Sequence, residues 1–326
     1  MGFTVSSTEF VTQARQSGVR FDSSLTLGRQ HMAVSPQKAK DILQRFGAWP
    51  PPGDPQAFMK DLAETLWRFE VFARALGARQ VTACDISGYE GATLIHDLNQ
   101  PIPSEHEEQY DAVIDNGTLE HIFNFPVAMA NCMRMVKLNG HFILITVANN
   151  SCGHGFYQFS PELFFRIFSG ENGFSIKKVV MGSDVTAGGK IMGIRYPFRV
   201  PGAFYEVHDP AVVQKRVELI NDRPTVLMVL AQKSSRKPLF AKTPLQSDYV
   251  PQWTENKSLE VANMQSLRGG QGRLASWLFS TFSEEFCRVT LPRLAVILDP
   301  FRWRRWLRRN SFANREAYTR IKNHRP

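Results

Sequence analysis

The sequence predicts an α/β protein built on a doubly wound, mostly parallel sheet, with an antiparallel last strand and a helical C-terminal extension. Three observations predict it. Short apolar runs alternate with helix-forming stretches from about residue 21 to residue 232. Several runs end in an acid or amide followed by a turn residue, the layout by which parallel strands present polar groups at their carboxyl ends. Charge is also segregated. Residues 301–326 hold nine Lys/Arg against one acid, Glu316, and so carry nearly all of the net charge of +9. The body is close to neutral, and the tail is basic.

With 43% hydrophobic and 21% charged residues among 326, the chain can bury a real core and is not a disordered protein. Its four cysteines, Cys84, Cys132, Cys152 and Cys287, show no CxxC pairing, which fits a reducing cytoplasm. The first residues, MGFTVSSTEFVTQARQ, lack an apolar core of signal-peptide length. No internal repeat is visible.

In chain order, the first strand covers Phe21–Leu27 and ends at Thr26-Leu27-Gly28-Arg29-Gln30. Ser35-Pro36 and Asp54-Pro55 pair a helix cap with proline at the first helical position. Helices are expected over 36–46 and 55–76, separated by WPPPGD. Gln80–Cys84 forms a second strand ending at Asp85. Ala92–Ile95 forms a third, followed by His96-Asp97-Leu98-Asn99.

The stretch that organises the rest is Tyr110-Asp111-Ala112-Val113-Ile114-Asp115-Asn116-Gly117-Thr118-Leu119-Glu120-His121. An apolar run stops at an acid and an amide, Gly117 permits a sharp turn, and Thr118 is placed to cap a helix. Met129, Cys132, Met133 and Val136 then recur at helical spacing as core. Asn139-Gly140 turns the chain into a strand at 141–147. A polar loop follows, with Asn150, Cys152, His154, Tyr157 and Gln158 among glycines. Ser160-Pro161 caps a helix, and strands at 174–181 and 225–231 complete the sheet. Between them a helix begins at Asp209-Pro210. The expected domains are 1–235, a linker at 236–273, and a helical, basic extension at 274–326.

Residues 21–232 resemble class I S-adenosylmethionine-dependent methyltransferases, a Rossmann-like fold whose last strand pair is antiparallel. The match is carried by Asp85, by Asp97-Leu98-Asn99-Gln100-Pro101, by Tyr110-Asp111 with Leu119-Glu120-His121, and by Asn139-Gly140 before the fifth strand. The resemblance implies S-adenosylmethionine as cofactor. Asp85 would hold the ribose and Asp97 the adenine, with Gly28 at the first turn and Asn116 and Gly117 near the methionine half. A carboxylate can accept hydrogen bonds from two vicinal hydroxyls at once, which suits Asp85 to the ribose. A surface turn or cap is the plainer reading of either acid.

The family's first strand usually ends in an acid and a glycine-rich loop. Here the place reads TLGRQ, with one glycine and the side chains of Arg29 and Gln30. That departure favours the alternative of a non-catalytic binding or scaffold module. A nicotinamide enzyme is disfavoured because no G-x-G-x-x-G follows the first strand.

The implied reaction is methyl transfer to a small-molecule or glycan-like acceptor entering beside the loop at 149–158. Methyl transfer needs chiefly alignment, and an oxygen acceptor must also lose a proton, so His154 and His121 are the candidate bases. A buried, satisfied histidine is the plainer alternative. Cys152 and His154 lack further ligands at zinc spacing, and no metal is assigned. In the tail, Trp303 and Trp306 among arginines suit peripheral contact with an anionic membrane or an acidic glycan, ahead of nucleic acid, and a solvated basic end is the plainer alternative. The uncharged run at 274–283 is too short to span a bilayer.

Overall fold

A computed structural model of the chain describes residues 2–65, 68–183, 203–214, 219–221, 223–247, 308–309 and 311–321, with two short strands between 190 and 195. The expected helical region at 274–298, Cys287, Trp303 and Trp306 lie outside the described residues. Residues Met1–Val207, Asp222–Pro244 and Arg320–Pro326 form one compact unit. His208–Asn221 and Leu245–Thr319 form a second.

The first unit opens with helix α1 (Val5–Gln16), then strand β1 (Ser23–Leu27), α2 (Pro36–Arg45), α3 (Pro55–Glu64) and α4 (Phe69–Ala75). Strands β2 (Gln80–Asp85), β3 (Leu94–Ile95) and β4 (Tyr110–Asn116) follow. Next come α5 (Phe125–Met135), β5 (Val136–Asn149), α6 (Pro161–Ile167) and β6 (Phe174–Gly182). Strands β7 (Lys190–Ile191) and β8 (Ile194–Arg195) pair only with each other. Then come β9 (Phe204–Val207), α7 (Pro210–Val213), which belongs to the second unit, and β10 (Thr225–Lys233).

The sheet runs β9-β6-β10-β5-β4-β1-β2-β3. Strands β3, β2, β1, β4 and β5 are mutually parallel, and β10 lies antiparallel between β5 and β6. This order, with the reversed β10 inserted between β5 and β6, is the class I methyltransferase fold, to which β9 adds an antiparallel edge strand beside β6. Because the five strands are parallel, residues following β1, β2, β4 and β5 emerge along one edge.

Local sequence starts the helices. The Ser35 hydroxyl accepts from the Lys38 N–H (3.3 Å). The Asp54 carboxylate accepts from Gln56 and Ala57 N–H (2.9 and 3.3 Å), and Ser160 accepts from Glu162 (3.3 Å). Each stands before a proline whose fixed φ suits the first helical turn. All seven residues of β4 are buried, as a central strand covered on both faces must be. Ala112 and Ile114 pack with Phe3, Phe10, Phe69 and Phe72 of the N-terminal helices and loops. On β5, Phe142 meets Phe168 edge-on at 5.5 Å. Full burial of such side chains contributes about 1.5–3 kcal/mol each.

Asp111, at the start of β4, is a fastener far from the carboxyl ends. It accepts from Arg20 (2.8 Å), Lys137 (3.1 Å) and the Ser23 N–H (3.2 Å).

Three expectations are corrected. Helix α5 ends at Met135, so Val136 and the Asn139-Gly140 pair lie within β5, not in the helix and a turn ahead of the strand. Residues 55–76 are not one helix, because the chain leaves helical geometry to pair with the segment after β1. Arg68 bridges to His31, and the Phe69 N–H donates to the Gln30 carbonyl at 3.1 Å. Thr118 stands at the cap position of the next turn, but its side chain makes no capping hydrogen bond. Its hydroxyl donates to the Leu27 carbonyl (3.0 Å), tying the turn after β4 to β1, and only a single turn, Leu119–His121, precedes α5.

Within the second unit, Asp209 caps α7 by accepting from the Ala211 N–H at 2.8 Å. The His208 ring is held between the Glu316 carbonyl (2.7 Å) and the Thr319 hydroxyl (2.8 Å). Burial pushes the Tyr318 phenol up to about 12. No helix among the described residues is long and apolar enough to cross a membrane.

Candidate functional site

The ends of β1, β2 and β4 converge on Gly28. Its φ of +67° lies in the left-handed region that glycine adopts without strain. A side chain added there would stand 3.6 Å from the Thr118 hydroxyl, 3.7 Å from Asp85 Oδ2 and 3.7 Å from Gln30 Nε2. The turn is built tightly, with the Gly28 N–H donating to the Cys84 carbonyl (2.7 Å) and the Thr26 hydroxyl to the Gly28 carbonyl (2.8 Å).

Arg29 and Gln30, the residues that break the glycine-rich pattern, have different fates. Arg29 pairs with Glu70 of α4 at 2.8 Å and donates to the carbonyls of Glu90 and Gly91 (3.1 and 3.3 Å). Its guanidinium is thus used to join α4 to the loop after β2. Gln30 is buried, donating to the Leu27 carbonyl (2.7 Å) and accepting from Asn116 Nδ2 (3.1 Å). Sequence reasoning noted Gln30 as an obstacle but not its partnership with Asn116. The Asn116 amide is therefore engaged under the sheet edge.

Asp85 ends β2, and its Oδ1 accepts from the Ser87 N–H at 3.3 Å. Asp97 lies beyond β3. Its carboxyl is held below the usual carboxylate range by the backbone N–H of Asn99 (2.9 Å) and then by the side-chain amide of Asn99 (2.8 Å). Asn131 of α5, wholly buried, fixes the same loop. It accepts from the Ile102 N–H (2.9 Å) and donates to the carbonyls of Leu98 (3.2 Å) and Gln100 (2.7 Å). Gly117 donates its N–H to the Ile145 carbonyl (2.9 Å), placing the turn after β4 beside β5.

The loop after β5 folds back onto that turn. The Glu120 carbonyl accepts from Phe156 and Tyr157 N–H (2.8 and 3.2 Å). Gly155 permits the approach, since a Cβ there would come within 2.7 Å of the same oxygen. His154 is thereby brought beside both Glu120 and His121. Its Nε2 is 3.5 Å from Glu120 Oε1, and its ring meets that of His121 edge-on at 4.8 Å.

Glu120 and Asp115 are both fully buried. Burial, with the neighbouring Glu120 adding repulsion, holds the Asp115 carboxyl well above the usual range. Asp115 Oδ2, Glu120 Oε1 and His154 Nε2 have no hydrogen-bond partner among the described residues. Sequence reasoning quoted Glu120 within Leu-Glu-His but gave it no role. Its adjacency to His121 just past a buried strand was the available signal. Cys152, by contrast, is exposed, with Gln158 Nε2 at 3.8 Å from its sulfur. An exposed aromatic pair, Phe123 and Phe156, flanks this corner with ring centroids 5.9 Å apart.

The sheet edge thus carries two polar groups of different kinds. One is a glycine turn facing a carboxylate and a hydroxyl, suited to a polyhydroxylated ligand. The other is a carboxylate between imidazoles, suited to proton transfer or cation binding.

No protein-family model and no curated protein matches the chain. Solved structures similar in fold include a putative methyltransferase from Bacillus halodurans, 11% identical, covering 71% of this chain and 100% of its own, at a TM-score of 0.35. An N-methyltransferase from Bradyrhizobium japonicum is 10% identical, with 70% and 94% covered and a TM-score of 0.33. The 1,6-didemethyltoxoflavin-N1-methyltransferase of Burkholderia thailandensis, solved with S-adenosylhomocysteine, is 12% identical, with 71% and 78% covered and a TM-score of 0.33. No activity follows from likeness at this level. The fold rests on the strand order.

Proposed function

We propose that the chain is an S-adenosylmethionine-dependent methyltransferase acting on a small-molecule or glycan-like acceptor. The observation that carries this reading is the meeting of Gly28, Asp85 and Thr118 at adjoining carboxyl ends of parallel strands. In this reading Asp85 receives the ribose hydroxyls, Asp97 the adenine amino group, and the turn at Gly117 borders the methionine half. Asn116 acts through Gln30, whose amide it holds. The reaction is an in-line displacement. The acceptor atom forms a bond to the methyl carbon as the bond to the sulfonium sulfur breaks, S-adenosylhomocysteine leaves, and an oxygen acceptor gives up its proton. The Glu120–His121–His154 corner supports that proton loss, with His154 or His121 as base. Phe123 and Phe156 offer rings against which an aromatic acceptor or the apolar face of a sugar packs.

Gln30 favours a second reading, a methyltransferase-fold binding module without turnover. Its amide occupies space beside Gly28 where a glycine-rich loop would leave room. Calorimetry with S-adenosylhomocysteine decides between them. In the first reading the wild-type chain binds, and Asp85→Ala weakens binding about tenfold or more, since hydrogen bonds to a charged group contribute about 1.5–3 kcal/mol. No binding by the folded wild-type chain would establish the second. The proposed division of labour places this site in residues 1–235 and contact with an anionic membrane in the basic extension at 274–326.

A further inference from the structure

Glu120, His121 and His154 each bring a ligand atom to one small space, all within 4.8 Å of one another. The Glu120 carboxylate is fixed on one side, where Oε2 accepts from the Thr146 hydroxyl at 3.0 Å. Its other oxygen, Oε1, is buried, unpartnered among the described residues, and aimed at His154 Nε2. That nitrogen is unpartnered as well. Their 3.5 Å separation is beyond an ordinary N–H···O hydrogen bond. It is close to the roughly 3.4 Å that separates two ligand atoms on a tetrahedral ion with bonds of about 2.1 Å.

We propose that Glu120, His121 and His154 form a binding site for a divalent cation. Two imidazoles and one carboxylate suit Zn²⁺, Fe²⁺ or Mn²⁺ better than Ca²⁺ or Mg²⁺, which prefer all-oxygen sets. Three protein ligands leave a position open, as metal sites that act on substrates do. The surroundings are those of a built site. Thr146 orients the carboxylate from behind. The loop bearing His154 is pinned to the backbone of Glu120 itself, by the two hydrogen bonds its carbonyl accepts.

A plain ion pair between Glu120 and a protonated His154 is the competing account. It would draw the two atoms to about 2.7–2.9 Å and leave His121 without a part. A buried, bare carboxylate oxygen is costly, and a shared cation removes that cost. The use of the site rests on the methyl-transfer reading, in which an acceptor oxygen takes the open position and loses its proton more readily. With the ion bound, the histidines serve as ligands in place of bases, the ion does the polarising, and the proton lost by the acceptor passes to solvent water. The existence of the site does not depend on that reading.

The test uses the full chain, untagged and stripped with a chelator. Zn²⁺ binding is followed by calorimetry, and Co²⁺ binding by visible absorption. The expected result is one ion per chain, with Glu120→Gln and His154→Asn each weakening binding at least tenfold. The proposal is overturned if the wild-type chain binds neither ion, or if both variants bind as it does. Circular dichroism reports folding. Should the buried Glu120→Gln variant unfold, the decision falls to His121→Asn and His154→Asn, at more exposed positions. S-adenosylhomocysteine is titrated in parallel. Metal binding without cofactor binding would sink the methyl-transfer reading alone, and the reverse would sink the cation site alone.

Discussion

Asn131→Leu removes the clamp on the loop that carries Asp97. Asn131 is 0% exposed, and its side chain makes three hydrogen bonds, one from the Ile102 N–H and two to the carbonyls of Leu98 and Gln100. Leucine has the same branched outline but is bulkier, so it leaves no cavity, and any crowding at this buried site adds to the polar cost. Each hydrogen bond is worth about 1 kcal/mol net, and a buried backbone group left unpaired costs about 1–3 kcal/mol. Water can reach part of this loop, since Gln100 and the neighbouring Asp97 are not fully buried. The expected loss is therefore about 2–4 kcal/mol.

Urea unfolding followed by far-ultraviolet circular dichroism measures it, with an unchanged slope against denaturant showing that the unfolded surface is the same. For a domain of this size the melting temperature should fall by about 2–4 °C per kcal/mol. The same protein, titrated with S-adenosylhomocysteine below its transition, should bind more weakly, because the adenine-side loop is no longer held. A stability change under about 0.5 kcal/mol would refute the reasoning. It would mean that the three hydrogen bonds are replaced by water at no cost and that α5 does not hold the loop.

Two further outcomes follow from charge. Burial, reinforced by Lys177 and Arg20, pushes His141 down from 6.5 to about 4, so the folded chain binds this proton less readily than the unfolded one. Its stabilising effect is present above pH 6.5 and is lost as pH falls towards 4. His141→Gln should flatten that dependence by about 1–2 kcal/mol, discounted because the ring is partly exposed, and parallel urea midpoints at pH 7.5 and 4.5 for both proteins would expose an error. In the tail, replacing Arg302, Arg304 and Arg305 by Gln should reduce sedimentation with anionic vesicles. Each basic residue near such a surface is worth about 1 kcal/mol, and raising the salt should mimic the substitution. Equal sedimentation of both chains would remove the membrane proposal.

The sequence by itself determined β1 to β6, β10 and most helix starts, because their causes are local, whereas the short strands β7, β8 and β9 were not legible. An apolar run bounded by turn residues defines β4, and Ser or Asp before Pro defines the starts of α2, α3 and α6 within a few residues. The placement of Asp85 at the end of β2 and of Asp97 just past β3 was legible for the same reason, since strand ends can be counted along the chain. Helix α1 was not legible. It buries Ser7, Thr8 and Thr12 alongside Phe10, Val11 and Ala14, and the hydroxyls of Thr8 and Thr12 bond back to the carbonyls of Thr4 and Thr8 (2.6 and 2.7 Å), so its inner face is half polar and carries only a short apolar stripe. The break between α3 and α4 depends on backbone pairing with Gln30 and His31, far earlier in the chain. The Glu120–His154 apposition likewise joins residues 34 apart, through a loop that Gly155 lets settle against the turn after β4. Hydrogen-bonding propensity and hydrophobic period act over a few residues and can be read in order. Which buried polar groups face each other is decided only when the sheet has brought distant strand ends to one edge.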